Sequence, residues 1–268
     1  MNLADVTVAK LSLEAMPGHL PRLLAIYKET GVVYLPGLLV ADAGFQCYVR
    51  DLTWLTDQLA HAAGLTFEVN LRLEERLSLL AKSHRRSVGT IYDIGTRPAK
   101  LLSATKVKYH AGFLHFVEGY FGPAGVPATP TLSDTLHVFP PGEENYKYNL
   151  PIHQDFPYLI QSPEQITLWI SLSAFAAGAG GITVWPGSHS LGVAKHRKNR
   201  HGHYEAEISD EELTRFSSLT LEAGFGDVLI VDSLCLHRSE PNRTSDKTRI
   251  ATLSLLESRA FADAVRHR

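Results

Sequence analysis

Residues 226–257 read GDVLIVDSLCLHRSEPNRTSDKTRIATLSLLE. Two runs within this stretch, 227–233 and 249–257, are short, apolar and rich in β-branched residues, and a polar segment with Pro241 and Asn242 separates them. That is the texture of strand, connection, strand. The same texture recurs upstream in TLHVF (135–139), YKYNL (146–150), ITLWISL (166–172) and ITVW (182–185), with Gly, Pro, Ser and Asn clusters between many of them. Several short strands of this kind predict a sandwich, barrel or jelly roll.

The first 125 residues read mostly as helix. HLPRLLAIYKET (19–30) carries apolar residues at helical spacing, and Gly31 supplies a stop. GVVYLPGLL (31–39) is a strand-like run punctuated by Pro36-Gly37. Asp42 is placed to cap a helix running to about Ala63, with Leu52, Leu55, Leu59 and Ala62 on one face. LRLEERLSLLAK (71–82) is amphipathic, and ATKVKYHAGFLHFVEGYF (104–121) reads in part as a helix closed by Gly122-Pro123. No Gly/Ser-rich linker divides the halves. One domain over 1–268 is expected, its helical part at about 1–125 packed outside a β core at about 126–258. AKHRKNRHGHYEAEISDEEL (194–213) interrupts the strand pattern as a long polar insertion, a length at which loops are usually functional.

Composition narrows the class. The chain has 268 residues, 44% hydrophobic and 20% charged, which is globular and excludes intrinsic disorder. A net charge of −2, from 26 basic and 28 acidic residues, gives no reason to coat nucleic acid or an anionic membrane. Cys47 and Cys235 cannot supply a disulfide framework. No run approaches the ~18 apolar residues of a membrane span, and the N-terminus lacks the pattern of a secretory signal. A soluble cytoplasmic protein is expected; its oligomeric state is not legible. The 13 histidines point toward a metal or acid–base site without locating one.

The sharpest local feature is His153-Gln154-Asp155, which alone also reads as a surface His and Asp at a strand end. On a strand, residues i and i+2 share a face, so His153 and Asp155 can converge on one metal ion with Gln154 turned away. A third ligand should come from a strand distant in sequence, and His237, just after the run 227–233, is the candidate. Two imidazoles and one carboxylate bind one face of a divalent metal and leave the opposite positions open, as in non-haem Fe(II) oxygenases. The lack of thiolate argues against structural zinc. Arg249 opens the next strand, and its guanidinium can hold a carboxylate through two hydrogen bonds.

Taken in order, HQD (153–155), LWISL (168–172), GGITVWPGSHSLG (180–192), GDVLIVDSLCLHRSEPN (226–242) and TRIATLSLLE (248–257) resemble the phytanoyl-CoA dioxygenase family of Fe(II)/2-oxoglutarate oxygenases. GVVYLPGLL resembles the family's entry strand, and the likeness covers roughly half the chain. It implies a mainly β fold with flanking helices, the double-stranded β-helix or jelly roll. It also implies Fe(II), 2-oxoglutarate as co-substrate and O2, with release of succinate and CO2. Carried onto this chain, the iron ligands are His153, Asp155 and His237. The far carboxylate of the co-substrate falls on Arg249 and Ser239, with Arg243 as the substitute, and Trp169 lies beside it. Related halogenases have Gly or Ala where Asp155 stands. A carboxylate there therefore favours hydroxylation, desaturation or cyclisation over halogenation.

Residues around the ligands offer further candidates. Gln154, Phe156 and Tyr158 flank the metal set and are candidate substrate contacts, with core roles as the alternative. Lys147 faces the same cavity as His153 if the strand is unbroken, although Pro151 can interrupt it. The basic run from Lys195 to His203 reads either as a solvated loop or as a lid attracting an anionic group, and Arg85-Arg86 is weighed in the same way. His189 is expected to hold its turn. Cys235 is expected to be a small buried side chain. The substrate is expected to be a small molecule, polar or anionic. Two rival functions remain. One is a non-catalytic jelly-roll binding module, which need not keep all of His153, Asp155, His237 and Arg249. The other is a zinc hydrolase on the same ligands, which lacks an evident Glu base near the motif.

Overall fold

The computed structural model describes residues 1–84, 101–123, 127–128, 134–139, 149–158, 164–173 and 178–258. The N-terminal half comprises α1 (Leu3–Val6), α2 (Met16–Thr30), β1 (Val32–Leu35), α3 (Ala43–Ala62), α4 (Leu73–His84), α5 (Leu102–Lys108) and α6 (Ala111–Phe121). The C-terminal half supplies β2 (Pro127–Ala128), β3 (Asp134–Phe139), β4 (Gln165–Ser171), β5 (Gly181–Val184), β6 (His196–Lys198), β7 (Tyr204–Ala206), α7 (Asp210–Leu213), β8 (Leu219–Leu221), β9 (Val228–Asp232), β10 (His237–Glu240) and β11 (Arg249–Ser258).

Local chemistry sets the helix ends. Gly31 adopts φ 71°, a left-handed cap whose N–H returns to Tyr27 O, and the chain turns from α2 directly into β1. Asp42 caps α3 as expected, its Oδ1 accepting from Phe45 N. The buried stripe of α3 is Phe45, Tyr48, Leu52, Thr56 and Ala60, so the expected face is displaced: Leu55 and Leu59 are half-buried and Ala62 is exposed. The helix expected over 104–121 is two helices. His110 ends one and caps the next, its Nδ1 accepting from Gly112 N. Gly112 also sits so close to Leu13 that an added Cβ would lie 2.5 Å from its carbonyl oxygen.

Two antiparallel sheets face each other. The larger runs β1-β9-β4-β11-β2, with β3 also on β11, and the smaller runs β10-β5-β8. Of the strand-like run at 31–39, Val32–Leu35 is an edge strand of the large sheet and residues 36–39 form a turn. Period-2 alternation sorts the large sheet's side chains. Leu168, Ile170, Ile230 and Ile250 pack outward on Leu23, Tyr27, Phe113 and Phe116 of the helical layer. Trp169, Leu229, Val231 and Ala251 point inward and meet Ile182, Val184 and Leu221 of the small sheet. With helices behind it and a sheet before it, β4 is buried at all seven positions, the polar Gln165, Thr167 and Ser171 included. This is the jelly roll the sequence predicted.

The polar insertion 194–213 is the hairpin β6–β7 followed by the single turn α7. It is docked rather than detached. Ala206 N donates to Ile152 O at 2.8 Å, on the segment that carries His153. Of the expected strand 146–150, residues 149 and 150 are not strand and 146–148 lie outside the described residues. Among the described residues no helix is long and apolar enough to cross a membrane.

Candidate metal centre

Register brings the three predicted ligands together. His153 and His237 exchange main-chain hydrogen bonds across one antiparallel bridge, 2.9 Å and 3.0 Å long. Their rings lie 4.2 Å apart, and Asp155 reaches both: its Oδ1 is 3.6 Å from His153 Nε2 and 3.4 Å from His237 Nε2. The three ligand atoms all fall within 4.8 Å of one another. The outer nitrogens are already committed. His153 Nδ1 lies 2.7 Å from Pro151 O and His237 Nδ1 lies 2.9 Å from Cys235 O. A carbonyl can only accept, so each Nδ1 carries a proton, and in the neutral ring each Nε2 presents its lone pair inward. Thr167 Oγ1 donates to the other Asp155 oxygen at 2.5 Å and fixes the carboxylate.

Electrostatics favour a cation at the meeting point. Burial lowers the His153 pKa, and the neighbouring His237 adds to the effect. Burial acts the same way on His237, but Asp155 outweighs it and the net shift is upward. Burial alone would raise Asp155; the two imidazoles outweigh it and hold the carboxyl well below its ordinary range. Converging lone pairs and a carboxylate that stays ionised suit a metal ion. One other trio among the described residues, Glu14, Asp42 and His110, has similar reach. There Asp42 and His110 serve as helix caps and Glu14 is exposed.

Arg249 is 2% exposed at the start of β11. Its guanidinium stacks on the Phe139 ring at 3.5 Å and donates to Gly181 O. Burial lowers its pKa to about 9, with Glu240 opposing, and a ligand carboxylate would offset that desolvation. Arg243, the substitute, is exposed. Ser239 stands two residues beyond His237 on β10, opposite Ile182, and therefore shares the ligand's inward face. Trp169 is buried on the inner face of β4, opposite Leu229 and Leu253.

His137 was missed by sequence reasoning. Register pairs Arg249 with Phe139 and Ala251 with His137, which puts this histidine on the inner face beside the arginine. Burial first, then the charge of Arg249, lowers its pKa to about 3, so the imidazole is neutral; Asp155 acts in the opposite direction.

Gln154 is fully buried, and its amide bonds to Gly192 O, Leu234 O and Ala194 N–H. Phe156 is half-buried in a short turn, its N–H donating to Ser233 O. Tyr158 closes that turn and its side chain is outside the described residues, as are Lys147, Arg85 and Arg86. His189 holds its turn against α2, Nε2 lying 3.2 Å from Lys28 O. Cys235 is buried beside Ser188.

Two curated relatives match part of the chain. Both are 1-deoxypentalenic acid 11-beta-hydroxylases. The one from Streptomyces exfoliatus is 32% identical over 125 residues, covering 44% of this chain and 44% of the relative. The one from Streptomyces arenae is 30% identical over 133 residues, covering 46% of each. The matches thus span less than half the relatives' own length. Among solved structures, the epimerase SnoN in complex with Fe3+, alpha ketoglutarate and nogalamycin RO superposes with a TM-score of 0.57 at 18% identity, covering 90% of this chain and 84% of that one. EctD from S. alaskensis with 2-oxoglutarate and 5-hydroxyectoine gives 0.55 at 14% identity, covering 88% and 75%. At such identities the likeness speaks for the jelly-roll fold. The sequence profile of the phytanoyl-CoA dioxygenase (PhyH) family matches residues 97–251, more than half of the chain, and the protein belongs to that family.

Proposed function

We propose that this chain is an Fe(II)- and 2-oxoglutarate-dependent dioxygenase that hydroxylates a C–H bond of a small molecule, with release of succinate and CO2. One observation carries the reading: two inward Nε2 atoms and one ionised carboxylate converge while both outer nitrogens are committed to carbonyls. His153, Asp155 and His237 would hold ferrous iron, leaving the opposite face for co-substrate and O2. Iron bound there supplies the oxidative chemistry, with 2-oxoglutarate as its co-substrate. The chain's own residues do the positioning. Thr167 fixes the Asp155 carboxylate. Arg249 and Ser239 would orient the far carboxylate of the keto-diacid. The buried Trp169 and Phe139 keep water from that side.

A polar or anionic substrate is our reading, supported by relatives whose named substrate is an acid. Hydroxylation is supported by the hydroxylase relatives and by the carboxylate at Asp155. A cytoplasmic setting accords with two free cysteines. The test is succinate release. Purified protein should convert 2-oxoglutarate to succinate only with Fe(II), faster in the presence of its metabolite, and His153→Ala and Asp155→Ala should abolish both turnover and metal binding. Turnover with zinc and without 2-oxoglutarate would replace this reading with the hydrolase. Metal binding without succinate release under any metabolite would leave the binding module.

A further inference from the structure

Gln154 lies between two of the proposed ligands yet faces away from them. Its Nε2 donates to Gly192 O at 2.8 Å and Leu234 O at 2.7 Å, and its Oε1 accepts from Ala194 N at 2.8 Å. Its main-chain N–H donates to His196 Nε2 at 3.2 Å. The other nitrogen of His196 lies 2.8 Å from Ala194 O, so Nδ1 carries the proton and Nε2 is the acceptor. One residue back, Ile152 O accepts from Ala206 N. Leu234 sits in the turn that leads to His237. A single buried residue therefore joins three things: the ligand pair 153–155, the approach to the third ligand, and the base of the β6–β7 hairpin. The side-chain amide is satisfied by three main-chain groups, which makes the joint stiff and intolerant of displacement.

We propose that Gln154 and His196 couple metal occupancy to the order of residues 192–206. Gln154 is a positioning residue. A metal ion that fixes the backbone of 153–155 fixes, through Gln154, the loop 192–196 and the hairpin paired to Ile152. Coupling is reciprocal, so the hairpin contributes to metal affinity. The hairpin base is then set when metal is bound, and is not a lid that swings over the site. This inference rests on the metal reading above.

Two measurements on the full chain test it, with Mn(II) as a redox-silent probe: calorimetric titration and backbone hydrogen exchange. In the wild type, Mn(II) should bind and should slow exchange across 192–206. His196→Ala should weaken Mn(II) binding about tenfold, the scale of a lost outer-shell partner, and should abolish the metal-induced protection. His196→Gln offers an amide oxygen in place of Nε2 and should restore both. Wild-type affinity in His196→Ala would overturn the proposal, as would hairpin amides that exchange alike with and without Mn(II) in the wild type. No Mn(II) binding by the wild type would overturn the metal reading and this inference with it.

Discussion

Arg249 is the residue whose proposed role separates co-substrate from metal. Its guanidinium is buried on Phe139 and sits on the same sheet face as His137, while the proposed metal ligands belong to β10 and the 153–155 segment. Removing one partner of a buried charge pair costs about 2–5 kcal/mol. Arg249→Ala should therefore weaken 2-oxoglutarate binding on the order of a hundredfold while Mn(II) affinity stays within a few-fold. Arg249→Lys, which keeps volume and charge but loses the planar fork, should fall between. Calorimetry with each ligand in turn decides it, and equal loss of both would detach Arg249 from the co-substrate. The metal trio was legible because residue types, i and i+2 parity and motif order all pointed one way. The partners of Gln154, at 192–194 and 234, were not legible because tertiary packing sets them. His137 was invisible for a related reason: TLHVF announces a strand, but only the pairing with β11 says which face meets the site.

Elements were legible where periodicity was strong and misread where a neighbour imposed the structure. β4, β9 and β11 are rich in β-branched and apolar residues and read as strands. The hairpin strands His196–Lys198 and Tyr204–Ala206 carry no β pattern, and β7 is held instead by the open edge that Ile152 offers. α5 and α6 separate because His110 caps better than it continues a helix. The helical layer and the site are mechanically distinct, and this too can be tested. Phe116 is fully buried and meets Tyr27 edge-on at 5.3 Å, so Phe116→Ala should lose about 3–5 kcal/mol in denaturant unfolding with Mn(II) affinity unchanged in the surviving folded protein. Asp232 ends β9 against α6, accepting from Tyr120 OH and Leu234 N. Burial raises its pKa above the ordinary carboxylate value, while the Leu234 N–H, His189 and Tyr120 oppose that shift. A group raised on folding contributes most stability below its unfolded pKa, about 4, and loses that contribution as pH climbs through its folded value. Asp232→Asn does not titrate. The melting temperature of the variant relative to wild type should therefore rise between about pH 4 and pH 7; a constant difference would mean that Asp232 does not titrate with folding.

At the scale of the whole molecule, the site exists only when both sheets are assembled. His153 and His237 meet through one bridge, 84 positions apart in sequence. Asp155 is fixed from the large sheet by Thr167, and Arg249 stands on the large sheet's β11 while Ser239 stands on the small sheet's β10. An unfolded chain has no such constellation, so a metal ion held by it would bind the native state and stabilise it by mass action. At a free concentration about a hundredfold above its Kd, Mn(II) should add about 2.7 kcal/mol, or roughly 5–10 °C in melting temperature for a domain of this size. His153→Ala should show no metal-induced shift. Arg249→Ala should keep it and lose the further increment that 2-oxoglutarate gives the metal-loaded wild type. Those two variants separate the halves of the site by one observable. A wild type that melts at the same temperature with and without Mn(II) would mean that the three side chains are a packing cluster, since tight binding to the folded state alone cannot leave stability untouched.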